Sequence, residues 1–248
     1  MSILAQAKNK WHRMKRMERF KSQFRQLKEL EGKTEARFCL DFDEVFPCFG
    51  DDTSTTSFDR HYIYHPAWAA RILQKSAPSF HIDISSTLHF CSIVSAFIPV
   101  KFYDYRPADL QLSDLGSEAA DLMKLPFADA SVNSLSCMHT VEHVGLGRYG
   151  DPIDYDGDLR AMNELKRVVA VGGNFLFVTP TGKPRILFNA HRIYSFRQII
   201  QAFEGLELVE FALVPDNPAD GGLVYNATEE MADQQNYGCG CYWFTRKK

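Results

Sequence analysis

A chain of 248 residues, 45% of them hydrophobic and 24% charged, is long enough for one α/β domain with a substantial core. No apolar run approaches the roughly 20 residues needed to span a bilayer, and the N-terminus lacks the pattern of a signal peptide. The six cysteines show no zinc-like pairing, so we expect reduced thiols in a cytoplasmic protein.

The first segment of the chain is strongly basic. Residues 1–33 contain ten Lys or Arg against three Glu, a net charge of +7, while the remaining 18 basic and 28 acidic residues give −10. Apolar residues recur there at intervals of three and four, which predicts a basic amphipathic helix over 1–35. The positions in this pattern are Ala7, Trp11, Met14, Met17, Phe20, Phe24 and Leu27.

Three functions are open for this helix. It packs its apolar side on the rest of the protein, or it lies on an anionic membrane surface at the inner face of a membrane. Nucleic-acid binding is the weakest of the three, since one basic helix on an acidic chain is only a small basic surface for such binding. We expect no nucleic-acid partner.

The segment 36–80 is rich in loops and leads into FDRHYIYHPAWAARILQKS, residues 58–76. Proline favours the first turn of a helix, so this stretch predicts a helix that begins near Pro66. The aromatic and His content of 58–68 is typical of a loop that closes over a site, although a packed aromatic cluster has the same composition. His61 and Tyr62 are therefore candidates for contact with a substrate.

From Phe80 onward, apolar strand patterns alternate with helical ones, which predicts a parallel sheet covered on both faces. Ligands of such sheets bind beyond the carboxyl ends of the strands, where the strand order reverses. This rule selects the stretches 83–87, 104–106, 121–123 and 138–143. We expect strands at 80–84, 100–104, 132–138, 173–179, 207–214 and 240–245, a short strand near 117–120, and helices near 88–97, 158–170 and 195–204.

Three stretches resemble successive motifs of Rossmann-like, class I S-adenosylmethionine-dependent methyltransferases. They are KFYDYRP, ADLMKLPFADASVNSLSCMHTVEHV and NELKRVVAVGGNFLFVTP. The chain is also similar to a narrower methyltransferase-like group of uncharacterised function, first noticed in nematode proteins. The stretches that carry this similarity are HVGLGRYGDPIDYDGD, FDRHYIYHPAWAARIL and YGCGCYWF. The resemblance covers about residues 58–245. It implies a methyltransferase-like domain over 36–248 with a seven-stranded, mostly parallel sheet, helices on both faces and an antiparallel last strand.

The resemblance also implies S-adenosylmethionine as cofactor. Asp104, at the end of the second strand, would accept both ribose hydroxyls, and Asp121 would accept the adenine amine beside the backbone of Leu122 or Met123. Asp83, at the end of the first strand, would lie near the ammonium group, directly or through water. The cofactor-binding candidates are Asp83, Ser85, Ser86, Asp104, Tyr105, Asp121, Leu122, Met123 and His139.

The loop in FHIDISSTLHF, residues 80–90, departs from the family pattern. The family normally has glycine at the positions held here by Ser85 or Thr87, because glycine lets the backbone approach the cofactor. Either serine supports the turn and offers its hydroxyl to the ligand, or the pocket has degenerated and the domain is a scaffold. We favour retained binding, since Asp104 and Asp121 occur together with a polar HxxEH edge.

HxxEH, formed by His139, Glu142 and His143, is also the inverted zinc-protease motif. That motif belongs inside a helix, whereas SLSCMHTVEH places His139 at the end of an apolar strand, so we expect no metal here. In a methyltransferase, His139 or His143 could deprotonate an acceptor hydroxyl. Glu142 is a third catalytic candidate, with a capping role as its alternative.

The loop GLGRYGDPIDYDGD, residues 145–158, predicts a flexible acidic insertion where the acceptor enters. Leu159 occupies the glycine position of a calcium loop, which disfavours Ca²⁺. Mg²⁺ on Asp151, Asp154 or Asp156 is open but unsupported, and Arg192 could equally pair with the loop aspartates. The candidates for substrate binding are His61, Tyr62, Arg148, Tyr149, Asp151, His191, Arg192 and Tyr194.

Together these features predict O-methylation of a sugar or another small polyhydroxylated metabolite, in glycan biosynthesis, with a histidine as general base. The alternative is a non-catalytic methyltransferase-like domain that binds a partner or a membrane surface through its basic N-terminal helix.

Overall fold

The computed structural model describes residues 3–35 and 37–247, except for the side chains of Ile3, Leu4 and Ala7. It divides into two compact units, Met1–Ser57 and Phe58–Lys248. The division thus follows residue 57, whereas the sequence suggested a boundary after residue 35. All six cysteines are free, and no described helix is long and apolar enough to cross a membrane.

In the N-terminal unit, the predicted helix is present as α1 (Ile3–Glu31). Its apolar positions from Ala7 to Leu27 recur on average every 3.3 residues or so, against about 3.6 residues per helical turn. The apolar stripe therefore winds around the helix instead of staying on one face, and Trp11 and Met14 are exposed. Among the pattern residues, the side chain of Ala7 lies outside the described part.

The segment after α1 folds back on this helix. Phe24 and Phe20 make edge-to-face ring contacts with Phe42 and Phe49, with centroids 5.0 and 6.0 Å apart. Lys28 donates a 2.9 Å hydrogen bond to the Leu40 carbonyl. These contacts explain why residues 37–57 belong to the same compact unit as the helix.

The second unit contains ten strands and five helices within its described residues. The strands are β1 (His81–Ile84), β2 (Val100–Asp104), β3 (Leu115–Ala119), β4 (Val132–Met138), β5 (Val169–Thr181), β6 (Arg185–Leu187), β7 (His191–Ile193), β8 (Glu207–Val214), β9 (Val224–Tyr225) and β10 (Gly238–Thr245). The helices are α2 (Arg60–Ser76), α3 (Leu88–Val94), α4 (Gly157–Val168), α5 (Phe196–Ala202) and α6 (Glu229–Asp233).

Eight strands form one sheet in the order β3-β2-β1-β4-β5-β10-β8-β9, and β6 and β7 form a separate antiparallel hairpin. Strands β1 to β5 are parallel, while the last strand, β10, runs antiparallel between β5 and β8. The predicted Rossmann-like fold is confirmed. The sheet has eight strands instead of the predicted seven because β9 pairs with β8 at the edge. With two residues, β9 is too short to show the alternation of apolar and polar residues that identifies a strand in a sequence.

Strand β5 shows why the sheet is covered on both faces. Phe175 and Phe177 point into one core and the alternate residues Leu176 and Val178 into the other, and none of the four is exposed. Helices α4 and α5 contribute to the first core, and α2 and α3 to the second.

Helix α2 begins at Arg60, six residues before the predicted start at Pro66. Asp59 caps it by accepting the backbone N–H of Tyr62 at 3.2 Å. Proline inside a helix removes one backbone hydrogen bond, and the burial of side chains such as Trp68 compensates for that loss. The early start turns the predicted loop into a rigid helical turn.

Strands β2 and β3 follow β1 on one side of the sheet, and the chain then crosses to place β4 on the other side of β1. The strand order therefore reverses between β1 and β4. The carboxyl ends of these two strands therefore border a crevice, which is where ligands bind in open α/β sheets.

A buried polar chain joins these two strands. His81 accepts from Ser134 through Nδ1 at 2.8 Å and donates to Ser136 through Nε2 at 2.9 Å, and the Ser136 hydroxyl donates to Asp83. Burial lowers the pKa of His81 to about 3 and raises that of Asp83 to about 6. A neutral imidazole with its proton on Nε2 satisfies every bond of this chain.

The raised pKa of Asp83 makes its contribution to stability depend on pH. Between pH 4 and 6 the folded state binds the proton more tightly than the unfolded state, so stability is lost as the pH rises through about 6. Relative to the wild type, the Asp83→Asn variant should gain about 3 kcal/mol in unfolding free energy between pH 4 and 7. Urea denaturation at several pH values measures this difference, with exposed Asp109→Asn as a control; a pH-independent difference would contradict it.

Candidate functional site

A cavity of about 890 Å³ opens at the carboxyl ends of β1, β2 and β4. This size is typical of a small-molecule site. Most of the predicted cofactor residues line it, namely Ser85, Ser86, Asp104, Tyr105, Asp121, Leu122, Met123 and His139. So do the predicted catalytic and substrate residues Glu142, His143, Tyr62, Arg148, Tyr149, Asp151 and His191. The candidates Asp83, His61, Arg192 and Tyr194 do not line the cavity.

The serine-rich loop after β1 keeps a shape that usually needs glycine. Ser85 adopts a left-handed backbone conformation, with φ of 55°. Its N–H and its hydroxyl both donate to the Tyr103 carbonyl, at 2.7 and 3.2 Å. Ser86 Oγ accepts the Met138 N–H at 3.0 Å, and the Thr140 hydroxyl donates to the Ser85 carbonyl at 2.8 Å. Hydroxyl groups thus hold the loop where the family has glycines.

Asp83 lies beneath this loop instead of facing the cavity. It is fully buried, and its Oδ1 accepts the Ser86 N–H at 2.9 Å while Oδ2 accepts the Ser136 hydroxyl. Asp83 was predicted to lie near a ligand ammonium group, directly or through water, and this enclosure argues against the direct contact. The Asp83 carboxylate is enclosed by its own loop and by β4. Its role is therefore to position Ser86 for the ligand.

Asp104 and Asp121 line the cavity, and one oxygen of each accepts a backbone N–H. Oδ1 of Asp104 accepts the Arg106 N–H at 2.7 Å, and Oδ1 of Asp121 accepts the Met123 N–H at 2.8 Å. Within the described chain, no hydrogen bond is made to the second oxygen of either carboxylate. The turns fix both side chains, and both retain an acceptor for a ligand. The Met123 N–H is already used, which leaves Leu122 as the backbone candidate for an adenine edge.

The HxxEH residues lie on a strand end and a 3-10 turn, not on an α-helix. This arrangement does not fit the zinc-protease motif. His139, with φ of 56°, contacts Glu142 Oε1 through Nδ1 at 2.8 Å. Burial alone would raise the pKa of Glu142, which is 1% exposed, but the hydrogen bond from His139 and the electrostatic attraction of the His139 and His143 rings hold this pKa below its usual range.

His143 differs from His139 in its surroundings. Its Nδ1 lies 2.6 Å from the Ala190 carbonyl and 3.2 Å from Arg148 Nη1. A carbonyl only accepts, and Arg148 Nη1 has its own bond to this carbonyl, so we assign the proton to Nδ1 and the lone pair to Nε2. Nε2 lies 3.8 Å from Glu142 Oε1, so a proton taken up there would face a carboxylate. His143 lines the cavity and its side chain retains 12% exposure.

A cluster of rings packs behind His139. His61 stacks between His139 and Tyr237, with centroid distances of 5.3 and 4.9 Å, and the centroid of His65 lies 5.0 Å from that of His139. Burial lowers the pKa of His61 to about 4 and that of His65 well below its usual range. Sequence reasoning missed His65 and Tyr237; the spacing of four residues between His61 and His65 was the available signal, because it places both on one side of a helix.

The loop 145–158 is held by internal bonds, in contrast to the predicted flexible insertion. Asp151 accepts the N–H groups of Gly145 and Tyr149, at 2.7 and 3.2 Å. Arg192, only 5% exposed, donates to the carbonyls of Val144 and Tyr155 at 2.6 and 3.1 Å. Arg192 therefore fastens this loop instead of contacting a substrate.

Two of the three remaining loop carboxylates, those of Asp154 and Asp158, are also occupied. Asp154 pairs with Arg160 and accepts the Asp156 N–H, and Asp158 accepts the Tyr194 hydroxyl at 2.9 Å. Tyr194 is thus a buried partner of the loop and not a substrate contact. Asp151, Asp154 and Asp158 satisfy bonds within the protein, and the exposed carboxylate of Asp156 is left by itself, so the loop does not support a Mg²⁺ site.

Two cations border the cavity on one side. The guanidinium carbons of Arg106 and Arg148 lie 4.7 and 5.1 Å from the centroid of the Tyr149 ring. Arg148 also donates to the Ala190 carbonyl at 3.0 Å. Arg106 was missed from the sequence, although it follows Asp104 by two residues. This side of the cavity suits a polar or anionic group.

Residues 118–220 match the model of a family described as "Caenorhabditis protein of unknown function, DUF268". The expected similarity to a nematode-derived group is confirmed over that segment. A search of curated proteins found no match.

Solved structures share the fold at low identity. N-methyltransferase NodS from Bradyrhizobium japonicum WM9, in complex with S-adenosylhomocysteine, is 14% identical, with a TM-score of 0.53 over 74% of this chain and 86% of that chain. Another is the Burkholderia thailandensis 1,6-didemethyltoxoflavin-N1-methyltransferase with bound 1,6-didemethyltoxoflavin and S-adenosylhomocysteine (11% identity, TM-score 0.53, 75% and 79% coverage). The fold is that of class I S-adenosylmethionine-dependent methyltransferases. The (4+2)-cyclase SpnF also shares it (12% identity, TM-score 0.50, 73% and 81% coverage), so the fold alone does not fix the reaction.

The left-handed conformation of Ser85 gives a test of the loop. Ser85→Gly should change the unfolding free energy by less than about 1 kcal/mol, because relief of backbone strain offsets the lost hydroxyl contact. Ser85→Val should destabilise by about 2 kcal/mol or more, since a β-branched residue tolerates positive φ poorly. Chemical denaturation of both variants measures this; equal stability of the two would show that the loop is not so constrained.

Proposed function

We propose that this chain is an S-adenosylmethionine-dependent methyltransferase that methylates a hydroxyl of a small, polar acceptor such as a sugar or glycan precursor. The observation that supports it most is the pair Asp104 and Asp121, fixed on adjacent turns of one cavity at the switch point of a methyltransferase fold. Each side chain keeps a carboxylate oxygen for a ligand.

The residues present fit this cofactor. Asp104 would hold the ribose diol, Asp121 the adenine amine, and the Ser85–Thr87 loop the methionine portion. When bound, the cofactor supplies an electrophilic methyl group. The chain's own task is then to align the acceptor, exclude water and accept a proton.

His143 is the residue best placed to accept this proton. Its Nδ1–H is bound to the Ala190 carbonyl, its Nε2 is unprotonated, and Glu142 would stabilise the imidazolium that forms. His139, whose Nδ1 is bonded to Glu142 and whose Nε2 is buried, is less suited to this step.

The polarity of the rim supports a hydroxylated acceptor. Arg106, Arg148 and Tyr149 offer hydrogen-bond donors to hydroxyl, phosphate or carboxylate groups at one side of the cavity.

Calorimetric titration with S-adenosylhomocysteine tests the cofactor site. Asn at position 104 or 121 keeps the acceptor that caps the turn and removes the charge, so Asp104→Asn and Asp121→Asn should each weaken binding at least about tenfold. Exposed Asp109→Asn should bind like the wild type. Absence of binding by the wild type would favour a non-catalytic scaffold, and full binding by both variants would contradict the assignment of these carboxylates.

Methyl transfer from labelled S-adenosylmethionine to a panel of monosaccharides and nucleotide sugars tests the reaction. With the acceptor found, His143→Ala should lower kcat roughly 100-fold or more while affinity for S-adenosylhomocysteine is kept. Exposed His89→Ala is the matched control. Transfer to none of the panel would contradict the acceptor class, and an unchanged kcat would remove His143 as the base.

A further inference from the structure

We propose that His61, His139 and Cys239 bind one divalent transition metal of tetrahedral preference, with Zn²⁺ as the expected ion. One potential ligand atom of each residue lies within 4.8 Å of those of the other two. The three residues come from α2, the end of β4 and the start of β10. This site goes beyond the proposed methyl transfer, and none of the three residues is assigned a step in it.

His139 is oriented like a metal ligand whose other ring nitrogen is bonded to a carboxylate. Its Nδ1 is bonded to Glu142 at 2.8 Å, so its lone pair resides on Nε2. This Nε2 is buried and has no hydrogen-bond partner within the described residues. Carboxylate–histidine–metal arrangements fix the tautomer and the ring orientation in the same way.

The distance between the rings of His61 and His139 is close to that of two ligands of one ion. Two imidazoles bound to one tetrahedral Zn²⁺ at about 2.1 Å have ring centroids about 5 Å apart; those of His61 and His139 are 5.3 Å apart, with ring planes inclined by 13°. Ligand atoms of such a site lie about 3.5 Å apart, so the side chains need to close by about 1 Å. Because the two rings are stacked, one of them also needs to rotate so that both nitrogens point at the same ion.

Cys239 completes a donor set of two imidazoles and one thiolate, which suits Zn²⁺. It is fully buried on β10, and its Sγ lies 3.9 Å from that of Cys241 on the same strand. Cys241 does not belong to the three-residue group and therefore serves as a matched control.

Ring stacking alone does not account for the cluster. It explains the contacts among His139, His61 and Tyr237, but it leaves the buried Nε2 of His139 without a hydrogen-bond partner among the described residues, which is unfavourable. A bound metal ion would satisfy this nitrogen.

Untagged full-length protein should be purified from zinc-supplemented medium, dialysed against buffer without metal, and analysed by mass spectrometry for metal content. We expect about one zinc per chain. Co²⁺ in its place should give a thiolate-to-cobalt charge-transfer band and the intense d–d bands of a tetrahedral site. Substoichiometric zinc together with an octahedral Co²⁺ spectrum would overturn the proposal.

Variants locate the site. Cys239→Ser should abolish the charge-transfer band, and His61→Asn should lower zinc affinity roughly 100-fold or more. Glu142→Gln should lower affinity about 10- to 100-fold. Cys241→Ser should keep both the charge-transfer band and the zinc affinity. If Cys241→Ser lost the band while Cys239→Ser kept it, the assignment of Cys239 as the ligand would be refuted. Circular dichroism verifies folding, and because His61 is only partly buried, His61→Asn remains a test should Cys239→Ser misfold.

Discussion

The cavity depends on the hydrogen bonds that join the end of β1 to the end of β4. Three of them cross this seam: Ser136 to Asp83, Met138 N–H to Ser86, and Thr140 to the Ser85 carbonyl. Strand pairing between β1 and β4 covers only two residue pairs, Ile82 with Leu135 and Asp83 with Ser136. Side-chain bonds thus extend the seam beyond the ladder, to the level where a ligand would bind.

This seam also explains how the loop dispenses with glycine. Glycine provides room and positive φ without strain, whereas Ser85 adopts positive φ under strain of order 1–3 kcal/mol. Two hydrogen bonds to the Tyr103 carbonyl and one from Thr140 compensate for it. Serine has less backbone freedom than glycine, and the three residues of this loop, Ser85, Ser86 and Thr87, line the cavity.

The sequence predicted the sheet well because its strands are buried on both faces and stand out as apolar runs, as in β4 and β5. It also located Asp104 and Asp121, since strand order in a parallel sheet brings strand ends to one edge. It could not predict the roles of Asp83 and Arg192. Those depend on which groups enclose them, and an acidic or basic residue has the same appearance in a sequence whether it faces a ligand or a carbonyl. The predicted start of α2 at Pro66 was wrong because the Asp59 cap and the packing of Trp68 stabilise an earlier start with the proline inside the helix.

Glu142 links the two chemistries assigned to this edge of the sheet. One of its oxygens lies 2.8 Å from His139 Nδ1 and 3.8 Å from His143 Nε2, so the same carboxylate orients one imidazole and would stabilise the charge on the other. A metal on His139 would draw electron density from that ring and strengthen its bond to Glu142. The carboxylate would then be less available to an imidazolium at His143, and metal occupancy would weaken that residue as a base. In both proposals the two histidines of the HxxEH motif would act through one shared acceptor, and their different roles would follow from which ring nitrogen each leaves free.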